Sequence, residues 1–245
     1  MKKKLKKSQI ERYSRQLVLK NIGAKGQEKI LSAHILIVGV GGLGCPAAEN
    51  LVRSGVGNIG LIDDDIVNLS NIHRQSLFDT NDINKSKVIV AAKKLKAINP
   101  NVNITTYKKR LNNKNIGEII KNYDLIIDGS DNFETKFLVN DNCLKYKKKL
   151  ITGAISKFDG HVFTFNFKIK KTASLRDFYQ EEEINDDILN CEFEGVLGTT
   201  ATIIGAIQAN EAIKMIIEIG QNLKNEILII DLLNLNFRKV KFKKI

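Results

Sequence analysis

His34-Ile35-Leu36-Ile37-Val38-Gly39-Val40-Gly41-Gly42-Leu43-Gly44 joins a short apolar run, rich in β-branched residues, to a loop of closely spaced glycines. Immediately downstream Leu43, Ala47 and Leu51 recur at helical spacing, and Pro46 is tolerated only in the first turn of a helix. Asn58-Ile59-Gly60-Leu61-Ile62-Asp63 then repeats the pattern of a buried strand. Strand, helix and strand within about 30 residues make the parallel crossover unit.

Working outward, Ser86 to Ile98 reads as an amphipathic helix, with Val88, Ala91, Ala92 and Leu95 on one face, stopped by Asn99-Pro100-Asn101. Val102 to Tyr107 predicts a third strand, Asn115 to Lys121 a short helix, and Tyr123 to Asp128 a fourth strand. A helix near 133–146 and a strand at Leu150 to Gly153 follow. Strands and helices alternate, so both faces of the sheet are covered: a doubly wound, Rossmann-like α/β fold with a mostly parallel sheet. Beyond residue 155 the pattern changes. Gly160 to Phe167 alternates with period two, as a half-buried antiparallel strand does. Residues 168–196 are charged and aperiodic, and a loop of that length is expected to be mobile or functional. Gly198 to Ile219 is the longest helix, and Glu226 to Leu232 with Leu235 to Phe242 closes an antiparallel C-terminal extension. The expected organisation is one domain over 1–245, its nucleotide-binding half at about 30–155 and its second half at about 156–245.

Composition narrows the class. The 245 residues are 43% hydrophobic and 27% charged, with 17 glycines and 2 prolines, which excludes a disordered or collagen-like chain. No apolar run is long enough to span a membrane, and the basic start at Met1 to Lys7 lacks the apolar stretch of a signal peptide. Cys45, Cys143 and Cys191 are odd in number and far apart, which suits a reducing, cytoplasmic setting. The net charge of +12 invites a nucleic-acid reading. Only seven of the 39 basic residues are arginine, however, and aromatic residues are 7% with no tryptophan. Nucleic-acid sites lean on arginine forks and stacked rings, so no nucleic-acid partner is expected. Lysine clusters such as 145–149 read instead as solvated helix ends. A lysine bias accounts for most of the charge, and an anionic ligand or acidic protein partner for the rest.

The loop Gly39, Gly41, Gly42 and Gly44 lies between a strand and a helix, where glycines let the backbone approach a phosphate and the helix start offers free N–H groups. Asp63, 19 residues past Gly44, ends the second strand where a carboxylate bonds ribose hydroxyls. These features suit NAD and ATP alike. The segment Asp63 to Gln75 separates them, because it packs carboxylates, amides and an arginine where a dehydrogenase needs an apolar nicotinamide pocket. Asn71 and Arg74 are three apart, which on one helical turn aims them the same way. Arg74 and Lys87 supply cations for a triphosphate, and the fourth strand ends in Asp128-Gly129-Ser130-Asp131-Asn132, where a carboxylate suits Mg²⁺.

With these residues in place the chain resembles the ThiF/MoeB/HesA family, the bacterial relatives of ubiquitin-activating enzymes. The resemblance rests on Arg12-Tyr13-Ser14-Arg15-Gln16, the loop from Gly39 to Cys45, Asp63 with Asp65, and Leu69 to Gln75. It continues through Lys87, Asp131-Asn132, Gly153 and Gln208 to Lys214, so it covers about residues 10–242. It implies ATP-dependent adenylation of the C-terminal glycine of a small ubiquitin-like sulfur-carrier protein, releasing pyrophosphate, on the way to thiamine or molybdopterin. The second half would then bind the carrier, and a sulfur-donating desulfurase or sulfurtransferase would follow. Carried over by position, Gly41 and its neighbours hold the nucleotide, Asp63 its ribose, and Asn71, Arg74 and Lys87 its phosphates, with Asp65 and Ser70 also among the nucleotide-binding residues. Asp131 binds Mg²⁺ beside Asn132, and Arg15 of a homodimer reaches the partner's ATP. The segment bearing Arg12 and Arg15 has too little apolar content to be held firmly by its own chain, which favours that arrangement.

Three points depart from or qualify the resemblance. Many relatives bind zinc through two Cys-x-x-Cys pairs; here Ser174-Leu175-Arg176-Asp177 stands at the first, the second is missing, and no zinc is expected. Lys136 stands where an arginine is common. Cys191 matches a cysteine proposed in some relatives to form a thiol-linked intermediate, although Glu192 and Glu194 beside it do not favour a thiolate. Two other readings stay open: adenylation of a different small or tRNA-linked carboxylate, and a nucleotide-binding scaffold without turnover.

Overall fold

A computed structural model describes residues 5–179 and 195–244. Eight strands form one sheet: β1 His34–Val38, β2 Asn58–Ile62, β3 Asn103–Tyr107, β4 Leu125–Asp128, β5 Lys149–Ser156, β6 Asp159–Asn166, β7 Glu226–Asp231 and β8 Asn236–Lys241. Their order is β3-β2-β1-β4-β5-β6-β7-β8. The first five run parallel and the last three pair antiparallel. Strand order reverses between β1 and β4, and open α/β sheets bind ligands at the carboxyl ends beside such a reversal.

The unbroken apolar run of β1 has a physical cause. Leu36 and Val38 enter a core on one face of the sheet, and Ile35 and Ile37 enter the core on the other. Helices α3 Gly23–Ser32, α4 Gly44–Ser54, α6 Lys87–Ile98 and α9 Gly198–Ile217 contribute residues to the second of these cores. The first is built on α7 Ile116–Lys121 and α8 Phe133–Lys145, with Phe163, Phe165 and Phe167 of β6 and its extension. β6 departs from the half-buried expectation, because Thr164 on the alternate face is also buried. Its hydroxyl donates to the Leu223 carbonyl at 2.9 Å, which satisfies the polar atom inside the protein. Two lysines of the 145–149 cluster are likewise not simply solvated: Lys148 Nζ donates to the Lys121 and Tyr123 carbonyls at 2.9 and 2.7 Å, and Lys149 Nζ to Met215 at 2.7 Å. Each satisfies carbonyls at or near a helix end.

The N-terminal segment corrects the expectation of a loosely held tail. It forms α1 Lys7–Arg12 and α2 Ser14–Leu17, and Tyr13 between them is fully buried. The Tyr13 hydroxyl accepts from Asn99 Nδ2 at 3.0 Å, and Arg12 donates to the Ile98 carbonyl at 3.0 Å. One ring and one guanidinium thus pin the segment to the end of α6. Arg15 remains exposed, and Ile10, Val18 and Leu19 around it are exposed too.

Of the expected long loop, residues 168–179 and 195–196 fall within the described part. Ala173, Ser174 and Leu175 are buried there. Ser174 and Asp177 bond each other, Leu175 N donates to Asn140 Oδ1 at 2.9 Å, and Arg176 forks onto Asp141 while lying 4.5 Å from the Phe137 ring centroid. At the position of the first Cys-x-x-Cys pair, the Leu175 backbone and the Arg176 side chain therefore fasten the turn to α8 by a hydrogen bond, an ion pair and a cation–π contact, while Ser174 and Asp177 close the turn itself.

Candidate active site

The glycine loop runs from β1 into α4 at the strand reversal. Gly39 N donates to the Ile62 carbonyl at 2.9 Å, and Val40 N to Asp63 Oδ2 at 2.7 Å. Beyond them the backbone N–H groups of Gly41, Gly42 and Leu43 have no acceptor among the described residues. Three successive free donors at the start of a helix form a seat for phosphate oxygens. A side chain at Gly44 would overlap the Gly39 carbonyl, whereas one at Gly41 would meet only Gln75 Nε2, at 3.6 Å. Gly44 is therefore required by the loop's own packing. Gly41 leaves open a space that a Cβ would fill.

Asp63 closes β2 beside this seat. Its two oxygens accept from Val40 N and Asp65 N, at 2.7 and 2.9 Å, which aims the carboxylate without exhausting its lone pairs. Burial pushes its carboxyl above the ordinary aspartate range, partly opposed by Lys87 and by the two backbone donors. Lys87 is itself buried and pairs with Asp65 at 2.8 Å. The sequence reading gave both residues to the nucleotide; here they hold each other, so Lys87 is presented at a fixed place.

The short helix α5 Leu69–Ile72 ends before Arg74. Asn71 and Arg74 nonetheless share one turn, as their spacing suggested, because the Asn71 carbonyl accepts from the Arg74 and Gln75 amides at 3.1 and 3.0 Å. Arg74 Nη1 donates to the Ser70 carbonyl at 3.1 Å and lies 2.8 Å from His73 Nε2. Its aliphatic stem approaches Gly42, 3.6 Å from the position of a Cβ there. Ser70 is exposed and enters through its carbonyl. Between this turn and the start of α9 opens a cleft of about 480 Å³, lined by Ile72, Arg74, Leu197 and Ile203 among others.

At the end of β4 two aspartates divide. Asp128 is fully buried and accepts from Ser130 N at 3.0 Å, Ser130 Oγ at 2.6 Å, Thr152 Oγ1 at 2.6 Å and Lys136 Nζ at 3.2 Å. Lys136 also donates to the Gly153 carbonyl at 2.7 Å, and Gln208 Nε2 to the Asp128 carbonyl at 2.9 Å. The Asp128 carboxylate is thus satisfied internally, although Gln208 Oε1 beside it has no partner among the described residues. Asp131 is exposed, with a single contact from Asn132 Nδ2 at 3.2 Å, and retains oxygens for a cation. Asn132 Oδ1 caps α8 by accepting from Thr135 N at 2.9 Å, a structural duty the sequence reading did not give it. Gly129 packs against the glycine loop, its N–H on the Val38 carbonyl at 2.9 Å, so the β4 turn and the loop share one mouth.

Cys45 and Cys143 are both buried, and burial pushes the Cys45 thiol up to about 12 and the Cys143 thiol well above its usual range. Both are inert core residues. Cys191 lies outside the described residues. His161, lowered by burial, lies with Nδ1 3.4 Å from the Tyr179 hydroxyl, away from the glycine loop on β6. Missing from the sequence reading were the hub partners Thr152 and Gln208 and the placement of Gln75. Their signal, small or amide residues on later elements, means little until the sheet brings them together.

A mixed, mostly parallel sheet with unpaired loop amides, an oriented carboxylate and two basic side chains at its reversal point has the layout of a nucleotide-binding α/β protein. The chain belongs to the ThiF family, whose model matches residues 13–244. It is 38% identical, over 96% of its length and 88% of the relative's, to a protein of Thermus thermophilus named sulfur carrier protein adenylyltransferase. It is 43% identical to a probable molybdopterin-synthase adenylyltransferase of Porphyra purpurea, over 94% of this chain but only 60% of that protein. Among solved structures, PaaA covers the whole chain with a TM-score of 0.83 at 22% identity, aligned over 77% of its own length. E. coli MccB with ATP covers 96% of the chain at a TM-score of 0.82 and 23% identity, over 71% of its own length. These two show the shared fold. No described helix is long and apolar enough to cross a membrane.

Proposed function

We propose that the chain uses ATP to adenylate the C-terminal carboxylate of a small ubiquitin-like sulfur-carrier protein in the cytoplasm, releasing pyrophosphate, and so serves thiamine or molybdopterin synthesis. The observation that carries this reading is the run of acceptor-free amides at Gly41, Gly42 and Leu43, next to Asp63, which is tied to residue 40. Relatives named as adenylyltransferases of sulfur carriers and of molybdopterin synthase support the same substrate class.

The chemistry asks little of the side chains. A carboxylate oxygen forms a bond to the α-phosphorus while that phosphorus releases the bridging oxygen, and the electron pair leaves with pyrophosphate. The nucleophile is already an anion, so no general base is needed. The protein's task is alignment and charge compensation. Asp63 accepts from the ribose hydroxyls, the loop amides take phosphate oxygens, and Arg74 and Lys87 offset their charge. Lys87 must share its ammonium between Asp65 and the phosphates. Asp131 would hold Mg²⁺, which supplies further charge neutralisation. Arg15 acts from the partner of a homodimer, with exposed Ile10, Val18 and Leu19 offering apolar surface to bury between copies.

Pyrophosphate exchange into ATP tests the reading. Exchange that requires a carrier with a free terminal glycine is expected, as is tighter binding of MgATP than of NAD. Exchange with a tRNA that bears a free carboxylate but not with a carrier would move the substrate to another carboxylate, and binding without exchange would leave a scaffold. Cys191 acts, in this reading, after adenylation: Cys191→Ser keeps the exchange and loses any thiol-linked carrier, and loss of exchange would remove it from that place.

A further inference from the structure

We infer that Gln75 belongs to the reaction site, where its side-chain amide donates a hydrogen bond to a non-bridging oxygen of the α-phosphate; this rests on the adenylation reading above. Gln75 is only 3% exposed, yet its donor Nε2 has no acceptor among the described residues. Its Oε1 is buried without a partner. That oxygen only accepts and has nothing to offer a phosphate; the donor Nε2, left without an acceptor, is the atom that can take a phosphate oxygen.

The position says which partner. Gln75 Nε2 lies 3.6 Å from the point a Cβ would occupy at Gly41, the first residue of the acceptor-free loop. The nucleotide's own connectivity then orders the contacts. Asp63, on the ribose, is bonded to residue 40, so the first phosphate past the ribose falls over residues 41 and 42. That is the α-phosphate, the group attacked by the carboxylate. Arg74 and Lys87 already bring two cations; an amide adds direction without charge.

Gln75 is also held in advance. Its N–H bonds the Asn71 carbonyl at 3.0 Å and its carbonyl accepts from Phe78 N at 3.0 Å, so the backbone beneath the amide is fixed on both sides. Donors fixed before the reaction are those that stabilise developing charge most effectively. The buried Gln27 and Gln208 also leave Oε1 without a partner, but their Nε2 groups donate to the Ser54 and Asp128 carbonyls, whereas that of Gln75 is left for a ligand.

The test compares AMP with adenosine, which differ by the α-phosphate alone. Calorimetry on the full chain should show Gln75→Met weakening AMP about tenfold, with adenosine affinity unchanged. Carrier-dependent exchange should fall about 10²-fold in kcat, with the melting temperature little altered. Gln75→Glu, which keeps the shape but opposes a phosphate, should lose AMP more completely. Equal loss of AMP and adenosine would assign Gln75 to general packing and overturn the proposal. So would parental AMP affinity in Gln75→Met or, should that variant not fold, in Gln75→Glu. A parent protein that binds no AMP would overturn the nucleotide site itself and Gln75 with it. If the parent binds AMP and exchanges pyrophosphate while the variants match it, only the role of Gln75 fails.

Discussion

Asp128 and Asp131 show how much one residue's surroundings decide. Both stand at the end of β4, and the chain's order alone offers either as a metal ligand. Four donors converge on Asp128 and make it a structural hub, which leaves the exposed Asp131 as the carboxylate open to solvent. Asp63 carries the prediction at this scale. Burial raises its carboxyl above the ordinary aspartate value, so the folded protein takes up a proton there before the unfolded chain does as pH falls. Two opposite consequences follow in the window above the ordinary aspartate pKa. The Asp63 contribution to folding becomes more favourable as pH falls, because the buried charge is removed. Nucleotide affinity declines over the same window, because a protonated carboxyl is a poorer acceptor for ribose hydroxyls. Affinity for ATP measured from neutral to acidic pH should decline in the parent, and Asp63→Asn should be weak throughout and lack that inflection. An inflection retained in Asp63→Asn would assign the titration to another group.

At the scale of elements the glycine loop separates two uses of one residue type. Gly44→Ala places a methyl against the Gly39 carbonyl and should cost about 3 kcal/mol of stability or more. Gly41→Ala meets only ordinary contact with Gln75 and should leave stability nearly unchanged while abolishing nucleotide binding. Thermal melts and ATP calorimetry on the two variants check this; equal melting temperatures, or full ATP binding by Gly41→Ala, would contradict it. The glycine loop, β1 to β8 and helices α4 and α6 to α8 were legible in the sequence, through closely spaced glycines in the loop, short apolar runs in the central strands, alternation in β6 and spacing near four in the helices. The N-terminal helices were not. α1 buries no residue, and the buried positions of α3 are Gly26, Gln27 and Ile30, a face that hydrophobic periodicity cannot find. The turn at Ser174 to Asp177 was equally hidden, since its partners Phe137, Asn140 and Asp141 sit on another helix. The same limit applies to the site. Asp63, Arg74, Lys87 and Asp131 were readable as residues with chemistry, but the Lys87–Asp65 pair and the unpaired amide of Gln75 emerge only from the packed structure.

For the whole molecule, the pinned N-terminal segment changes the reason for expecting a dimer without removing it. Tyr13 holds the segment to its own subunit, while Arg15 and three apolar side chains remain exposed beside it. If Arg15 completes the site of a partner copy, Arg15→Ala and Asp131→Ala homodimers should both be inactive. A mixture that exchanges subunits should then regain about one competent site per heterodimer. A mixture as inactive as its parents, although heterodimers form, would place Arg15 outside the partner's site. The central claim is more direct still: a carrier's terminal carboxylate is joined to AMP. Its closest measurement is the intact mass, under denaturing conditions, of a carrier incubated with this protein, ATP and Mg²⁺. A mass gain of one adenylyl group is predicted, absent when the terminal glycine is deleted. An unchanged mass for the intact carrier, or the same gain on the truncated one, would contradict the account.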